Sequence, residues 1–160
     1  MYIDFKELPE DARVWVYQSN RSFTEEEQKQ LQEQLEAYLN QWTAHGQDLW
    51  ASYELRYNRF IIIGANQGVH AVSGCSLDAF VRFIQELEQK YGVTLLDRMN
   101  VSYRQGEYIA YKNLADFKKM VKDKAVSEHT IVFNNLVNTK IEYEENWEVP
   151  LLESWHNRFL

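Results

Sequence analysis

The stretch Ser73-Gly74-Cys75-Ser76 places the only thiol of the chain, Cys75, directly ahead of a segment with helical periodicity. A helix start gathers unpaired amides and positive potential, conditions that favour a thiolate or a bound anion. Two chemistries would use this. Cys75 would be a nucleophile with His70 or His45 as its base, or Ser73, Gly74, Cys75 and Ser76 would together cradle an anion. The simpler assignment makes Gly74 a tight turn, Ser76 a helix cap and Cys75 a small packed apolar residue, and we favour it.

The other reactive side chains are scattered. His45, His70, His129 and His156 show no HxH, HxxxH or CxxC spacing that would set two metal ligands on one face, so no metal and no cofactor is expected. His45, in Thr43-Ala44-His45-Gly46, is expected to answer the exposed carbonyls at the end of a helix. A phosphate-binding loop needs Gly-Lys followed by Ser or Thr, and the chain contains no Gly-Lys pair. ATP hydrolysis by that route is excluded, although Val72-Ser73-Gly74-Cys75-Ser76 faintly echoes the ABC-transporter signature peptide. Acidic runs such as Glu25-Glu26-Glu27 read as solvated helix surface.

Charge is unevenly placed. Lys112, Lys118, Lys119, Lys122 and Lys124 hold five of the 17 bases, while Glu142, Glu144, Glu145, Glu148 and Glu153 crowd the C-terminal part. Within one chain such patches make weak surface pairs, and between chains they would set the register of a dimer. A basic RNA-binding helix is the weaker alternative, because 24 acids give a net charge of −7.

These residues need a scaffold, and the hydrophobic pattern supplies one. Val14 to Tyr17 is a short β-branched and aromatic run, hence a strand. Ser22-x-x-Glu25 and Thr24-x-x-Glu27 are overlapping capping boxes for a helix whose apolar stripe is Leu31, Leu35, Tyr38, Leu39 and Trp42, with Gly46 as its stop. From Leu49 to Tyr57 the period becomes two. Phe60 to Ile63 is apolar on both faces and so central, and Val69 to Val72 is expected as the third strand of a meander. Ser76 is expected to cap a second helix with stripe Leu77, Phe80, Val81, Ile84, Leu87 and Tyr91, closed by Gly92. A hairpin follows, Val101 to Arg104 and Tyr108 to Lys112. Asn113 caps a third helix through Leu114, Phe117, Met120 and Val121. Thr130 to Phe133 and Ile141 to Tyr143 are expected to pair as a last hairpin, with Trp147 to Leu160 as an irregular tail.

The expected class is α+β, one domain over residues 1–160, an antiparallel sheet with helices on one face in the order β-α-β-β-β-α-β-β-α. The same order occurs in the small dimeric chaperones of type III secretion, a likeness of fold that carries no function. On this plan Trp50 shares a strand face with Ser52, Glu54 and Arg56, on the side that the helices leave bare. An aromatic among polar residues on a bare face reads as an interface, so Trp50 and Arg56 are candidate contact residues. Trp147, Trp155 and Phe159 either anchor the tail on its own core or offer it to a partner, so Trp147 and Trp155 join that set. Asn134, Asn135 and Asn138 read as turn residues around Leu136 and Val137.

Composition agrees with a folded chain: 160 residues, 45% hydrophobic and 26% charged. The longest apolar run, Phe60 to Ala65, is far short of the ~20 residues that span a bilayer. Met1 to Glu7 has no secretory pattern, and one cysteine suits a reducing compartment, so a cytoplasmic location is expected.

Several segments together carry a likeness: Ala12-Arg13-Val14-Trp15-Val16-Tyr17-Gln18, Trp42-Thr43-Ala44-His45-Gly46, Ser73-Gly74-Cys75-Ser76-Leu77-Asp78, Thr130-Ile131-Val132-Phe133-Asn134-Asn135-Leu136-Val137, and Glu145-Asn146-Trp147-Glu148-Val149-Pro150 with Ser154-Trp155-His156. In these, over nearly its whole length, the chain resembles a group of small Bacteroidetes proteins commonly labelled "ABC transporter ATPase". The nucleotide-binding motifs that the label implies are missing here. The resemblance implies a bacterial, cytoplasmic setting and brings no catalytic residues with it. The function expected from the sequence is a non-enzymatic, homo-oligomeric module that binds a protein or peptide on its open sheet face, without membrane or nucleic acid. The alternative is a thiol-dependent or anion-binding enzyme centred on Cys75.

Overall fold

A computed structural model describes residues 1–160 and shows an α+β protein whose chain divides into two compact units, Met1–Leu96 with Asn138–Ile141, and Asp97–Val137 with Glu142–Leu160. No helix is long and apolar enough to cross a membrane.

In the first unit, β1 (Arg13–Gln18) leads to helix α1 (Glu25–Gln41), a two-residue-per-strand hairpin of β2 (Thr43–Ala44) and β3 (Gln47–Asp48), strands β4 (Ala51–Arg56) and β5 (Phe60–Ala65), and helix α2 (Gly74–Tyr91). Strand β5 is buried along its whole length and lies between β1 and β4, antiparallel to both, with Trp15 opposite Ile63 and Tyr53 opposite the same residue from the other side. A strand apolar on both faces has to be central, as its sequence predicts. One face gives Tyr17, Ile61, Ile63 and Ala65 to a core completed by Leu31, Leu35 and Leu39 of α1 and Phe80, Ile84 and Leu87 of α2. The three α1 leucines are wholly buried, and each contributes about 2 kcal/mol by leaving water.

Of the two overlapping capping boxes, Thr24 and Glu27 form the real one. Thr24 Oγ1 accepts from the Glu27 amide at 3.1 Å, and Glu27 Oε1 accepts from the Thr24 amide at 2.9 Å. Arg21 also donates to both Glu27 oxygens, at 2.8 and 2.9 Å, and its guanidinium holds that carboxyl down to about 2. Trp42, not a histidine, ends α1. His45 and Gly46 occupy the β2–β3 turn with φ of 52° and 76°, the left-handed pair that a two-residue hairpin requires, so His45 serves the turn and not the helix end.

Residues 69–72 do not form the expected third strand. Both edges of β5 are taken by β1 and β4, so this segment finds no place beside it, and while Val69 and Ala71 are exposed, only Val72 packs against the core. Nor is the second sheet face bare. Val14, Ser52, Phe60, Ile62 and Gly64 are all buried, and a Cβ added to Gly64 would meet Leu8 Cδ1 at 2.6 Å and Phe5 Cε2 at 3.4 Å. The short 3-10 turn Phe5–Glu7 therefore lies on that face, and only glycine admits so close an approach. Lys140, at the start of helix α4 (Lys140–Asn146), secures the segment by donating to the Leu8 carbonyl at 2.7 Å.

In the second unit, β6 (Asn100–Gln105), β7 (Tyr108–Asn113), β8 (Ile131–Phe133) and β9 (Glu148–Pro150) form an antiparallel sheet in the order β7-β6-β8-β9, with helix α3 (Leu114–Lys122) between β7 and β8 in the chain. Asn113 caps α3, its Oδ1 accepting from the Asp116 amide at 2.8 Å. Val101, Tyr103, Phe117, Val121, Val126, Val132 and Leu151 make the core. The partner of β8 is β9, with Val132 opposite Val149, whereas 141–143 is helical. Tyr143 and Trp147 explain why. Four residues apart, they pack their rings at a tilt with centres 5.3 Å apart inside the protein, which a helical turn permits and an extended strand does not. After β9, two 3-10 turns, Leu151–Glu153 and Trp155–Phe159, complete the unit.

Candidate functional site

At the start of α2 the sequence candidates stand together, but in a different arrangement from that expected. The cap is Ser73, not Ser76. Its Oγ accepts from the Ser76 amide at 3.1 Å, and Ser76 Oγ accepts in return from the Ser73 amide at 2.8 Å. Two amides that an anion cradle would need are thus already bonded by the chain's own hydroxyls. Ser76 is buried and its carbonyl accepts from Trp42 Nε1 at 2.9 Å. Cys75, expected as a packed residue, is exposed, because a helix beginning at Gly74 turns that position outward. His70 is half-buried and His45 exposed, and neither is hydrogen-bonded to the thiol. No three His, Cys, Asp or Glu side chains gather as a metal site would require.

The aromatic contact candidates separate. Trp50 is 39% exposed at the entry to β4, and Arg56, half-buried, lies over the Tyr57 ring. The Ser52 between them is fully buried, so these residues do not share an open surface. Trp147 is a core residue, packed on Phe133 at 5.0 Å with its Nε1 donating to Asn135 Oδ1 at 2.9 Å. Trp155 is half-buried, stacked on His156 at 4.0 Å, with the Arg158 guanidinium over its ring at 5.2 Å from the centre. His156 is buried against Phe117, its Nδ1 2.7 Å from Ser154 Oγ. Burial pushes its imidazole down to about 4, and the nearby Arg158 charge pushes the same way.

A concave surface of the second unit lies elsewhere. A groove of about 690 Å³ runs between the C-terminal half of α3, the turn after it and the end of the chain. Val121, Val126, Phe159 and Leu160 make its apolar lining, and Lys118, Lys122 and Lys124 bring three ammonium groups with no acidic side chain beside them. Lys118 and Lys122 are one helical turn apart and so lie on the same side of α3. Lys118 Nζ stands 5.1 Å from the centre of the Phe159 ring, so cation and apolar wall adjoin.

Lys124 reaches the rim at a cost. Its φ is 60°, in the left-handed region that glycine usually takes after a helix, and its amide donates to Val121 O at 3.1 Å while that of Ala125 donates to Met120 O at 2.8 Å. A lysine there is disfavoured by about 1 kcal/mol relative to glycine. The lysine cluster is visible in the sequence. That Phe159 forms the opposite wall is not, because no local pattern ties residue 159 to residue 118.

Comparison with protein families, with curated proteins and with solved structures finds no match for this chain.

Proposed function

We propose that the protein is a non-enzymatic module that binds a protein or peptide partner in the lysine-rimmed groove of its second unit. The observation that carries this is the groove itself: apolar side chains at a concave surface, bordered by cations on one side only, within the ~300–1,000 Å³ range of binding sites. The absence of a bonded base at Cys75 removes the support a thiol mechanism would draw from geometry, and the buried Ser52 removes the sheet face as the docking surface.

The test is photocrosslinking in the producing cell, with p-benzoylphenylalanine placed at Lys122 or, as a control, at Lys90 of α2, both exposed. The expected result is a discrete adduct from position 122 that position 90 does not give and that Lys118→Glu diminishes. No adduct at 122, or the same adducts from both positions, refutes the proposal.

Two further readings have an observation each. The exposure of Cys75 at a helix start favours thiol chemistry, which Cys75→Ser would abolish while leaving crosslinking at 122 intact. The exposure of Trp50 favours self-association there, and a monomer at tens of micromolar in sedimentation counts against it.

A further inference from the structure

We infer that the occupant of the groove is an acidic peptide segment carrying one bulky apolar side chain, an inference that rests on the binding role proposed above. The first argument is the inversion of charge. The whole chain carries −7, yet residues 112–124 hold five lysines against Asp116 and Asp123. Asp116 accepts from Asn113 Nδ2 at 2.9 Å at the far end of α3, and neither it nor Asp123 lines the groove, whose charged side chains are all lysines. A surface that departs in sign from the rest of its protein selects and steers a partner of opposite charge.

Shape agrees. Lys118 and Lys122 lie roughly 6 Å apart along α3. Alternate residues of an extended peptide stand about 6.6 Å apart on one side, so an apolar side chain and the carboxylates two residues before and after it face the groove together. The apolar side chain meets Val121, Val126 and Phe159 while the flanking carboxylates reach the lysines of the rim. A free fatty acid has one carboxylate for three lysines. A bilayer is flat where this surface is concave, and a nucleic acid carries a continuous run of phosphates that three lysines do not match.

Lys124, on the left-handed residue that follows α3, adds a third ammonium group to the same rim.

The test is fluorescence anisotropy with a labelled, capped heptapeptide of one phenylalanine flanked by three glutamates on each side. Saturable binding is expected, weakened at least tenfold when the glutamates become glutamines and again when the phenylalanine becomes serine. Lys118→Gln with Lys122→Gln should weaken it about fivefold, with circular dichroism unchanged. Raising salt from 50 to 300 mM should weaken it as well. Equal affinity for the glutamine peptide, or no binding at 1 mM, overturns the inference. So does tighter, lysine-dependent binding of phosphatidylglycerol vesicles, a uridine oligonucleotide or dodecanoate. If the Lys122 crosslink forms but maps to a non-acidic partner segment, the acidic class fails while the binding role stands. If the crosslink does not form, the role itself fails.

Discussion

Acid should destabilise this protein through one buried histidine besides its carboxylates. His156 is buried beneath Trp155 and against Phe117, and its imidazole is held at about 4 instead of the 6.5 it has in an unfolded chain. Between pH 6.5 and 4 the unfolded state therefore binds a proton that the native state refuses. Stability is complete above pH 6.5 and falls as the pH drops towards 4, by about 3 kcal/mol at roughly 1.4 kcal/mol per unit of pKa difference. The variant His156→Gln keeps an acceptor for Ser154 Oγ and removes the titration. Urea denaturation followed by tryptophan fluorescence at pH 7.5, 6, 5 and 4.5 should give a wild-type curve that loses about 2.5 kcal/mol more than the variant across this range. Carboxylates titrate in both proteins and cancel in the difference. If the stability difference between the two proteins is the same at every pH, or if the native His156 titrates near 6.5 by NMR, the buried, neutral imidazole is wrong.

Three more outcomes follow from named contacts. Lys124→Gly should raise stability by about 1 kcal/mol in chemical denaturation and weaken the acidic peptide, and a variant that is both less stable and fully binding contradicts the rim role. Gly64→Ala should cost about 2 kcal/mol because its Cβ meets Leu8, and the cost should shrink in a Leu8→Ala background when both are read by thermal melting; an unchanged melting temperature removes the close packing. Cys75 should react with iodoacetamide about as fast in the native protein as in 6 M guanidinium, and a native rate many-fold slower would bury a thiol that is exposed here.

How far the sequence carried can be traced residue by residue. Phe60 to Ile63 declared a central strand because four successive buried positions need an apolar residue at each, and Thr24 with Glu27 declared a helix start because two side chains have to satisfy two amides. Such signals are local, and they survive folding. The segment 69–72 looks like a strand locally and is none, since the place beside β5 had gone to β1, some fifty residues earlier in the chain. Ile141 to Tyr143 became helical because Tyr143 packs with Trp147, and the cap moved from Ser76 to Ser73 because the second serine is needed as the reciprocal acceptor. The groove was half legible. The lysines of α3 show in the sequence, but the wall they face comes from Phe159, and only the folded chain brings the two together.

The central claim is that the protein binds through the lysine-rimmed groove and not through the Cys75 loop. Chemical-shift mapping on the isotope-labelled full chain, titrated with the acidic heptapeptide, tests it most directly. The account predicts shifts concentrated at 118–127 and 158–160 with 73–76 unmoved. Shifts concentrated at Ser73–Ser76, or spread evenly over the surface, would contradict it.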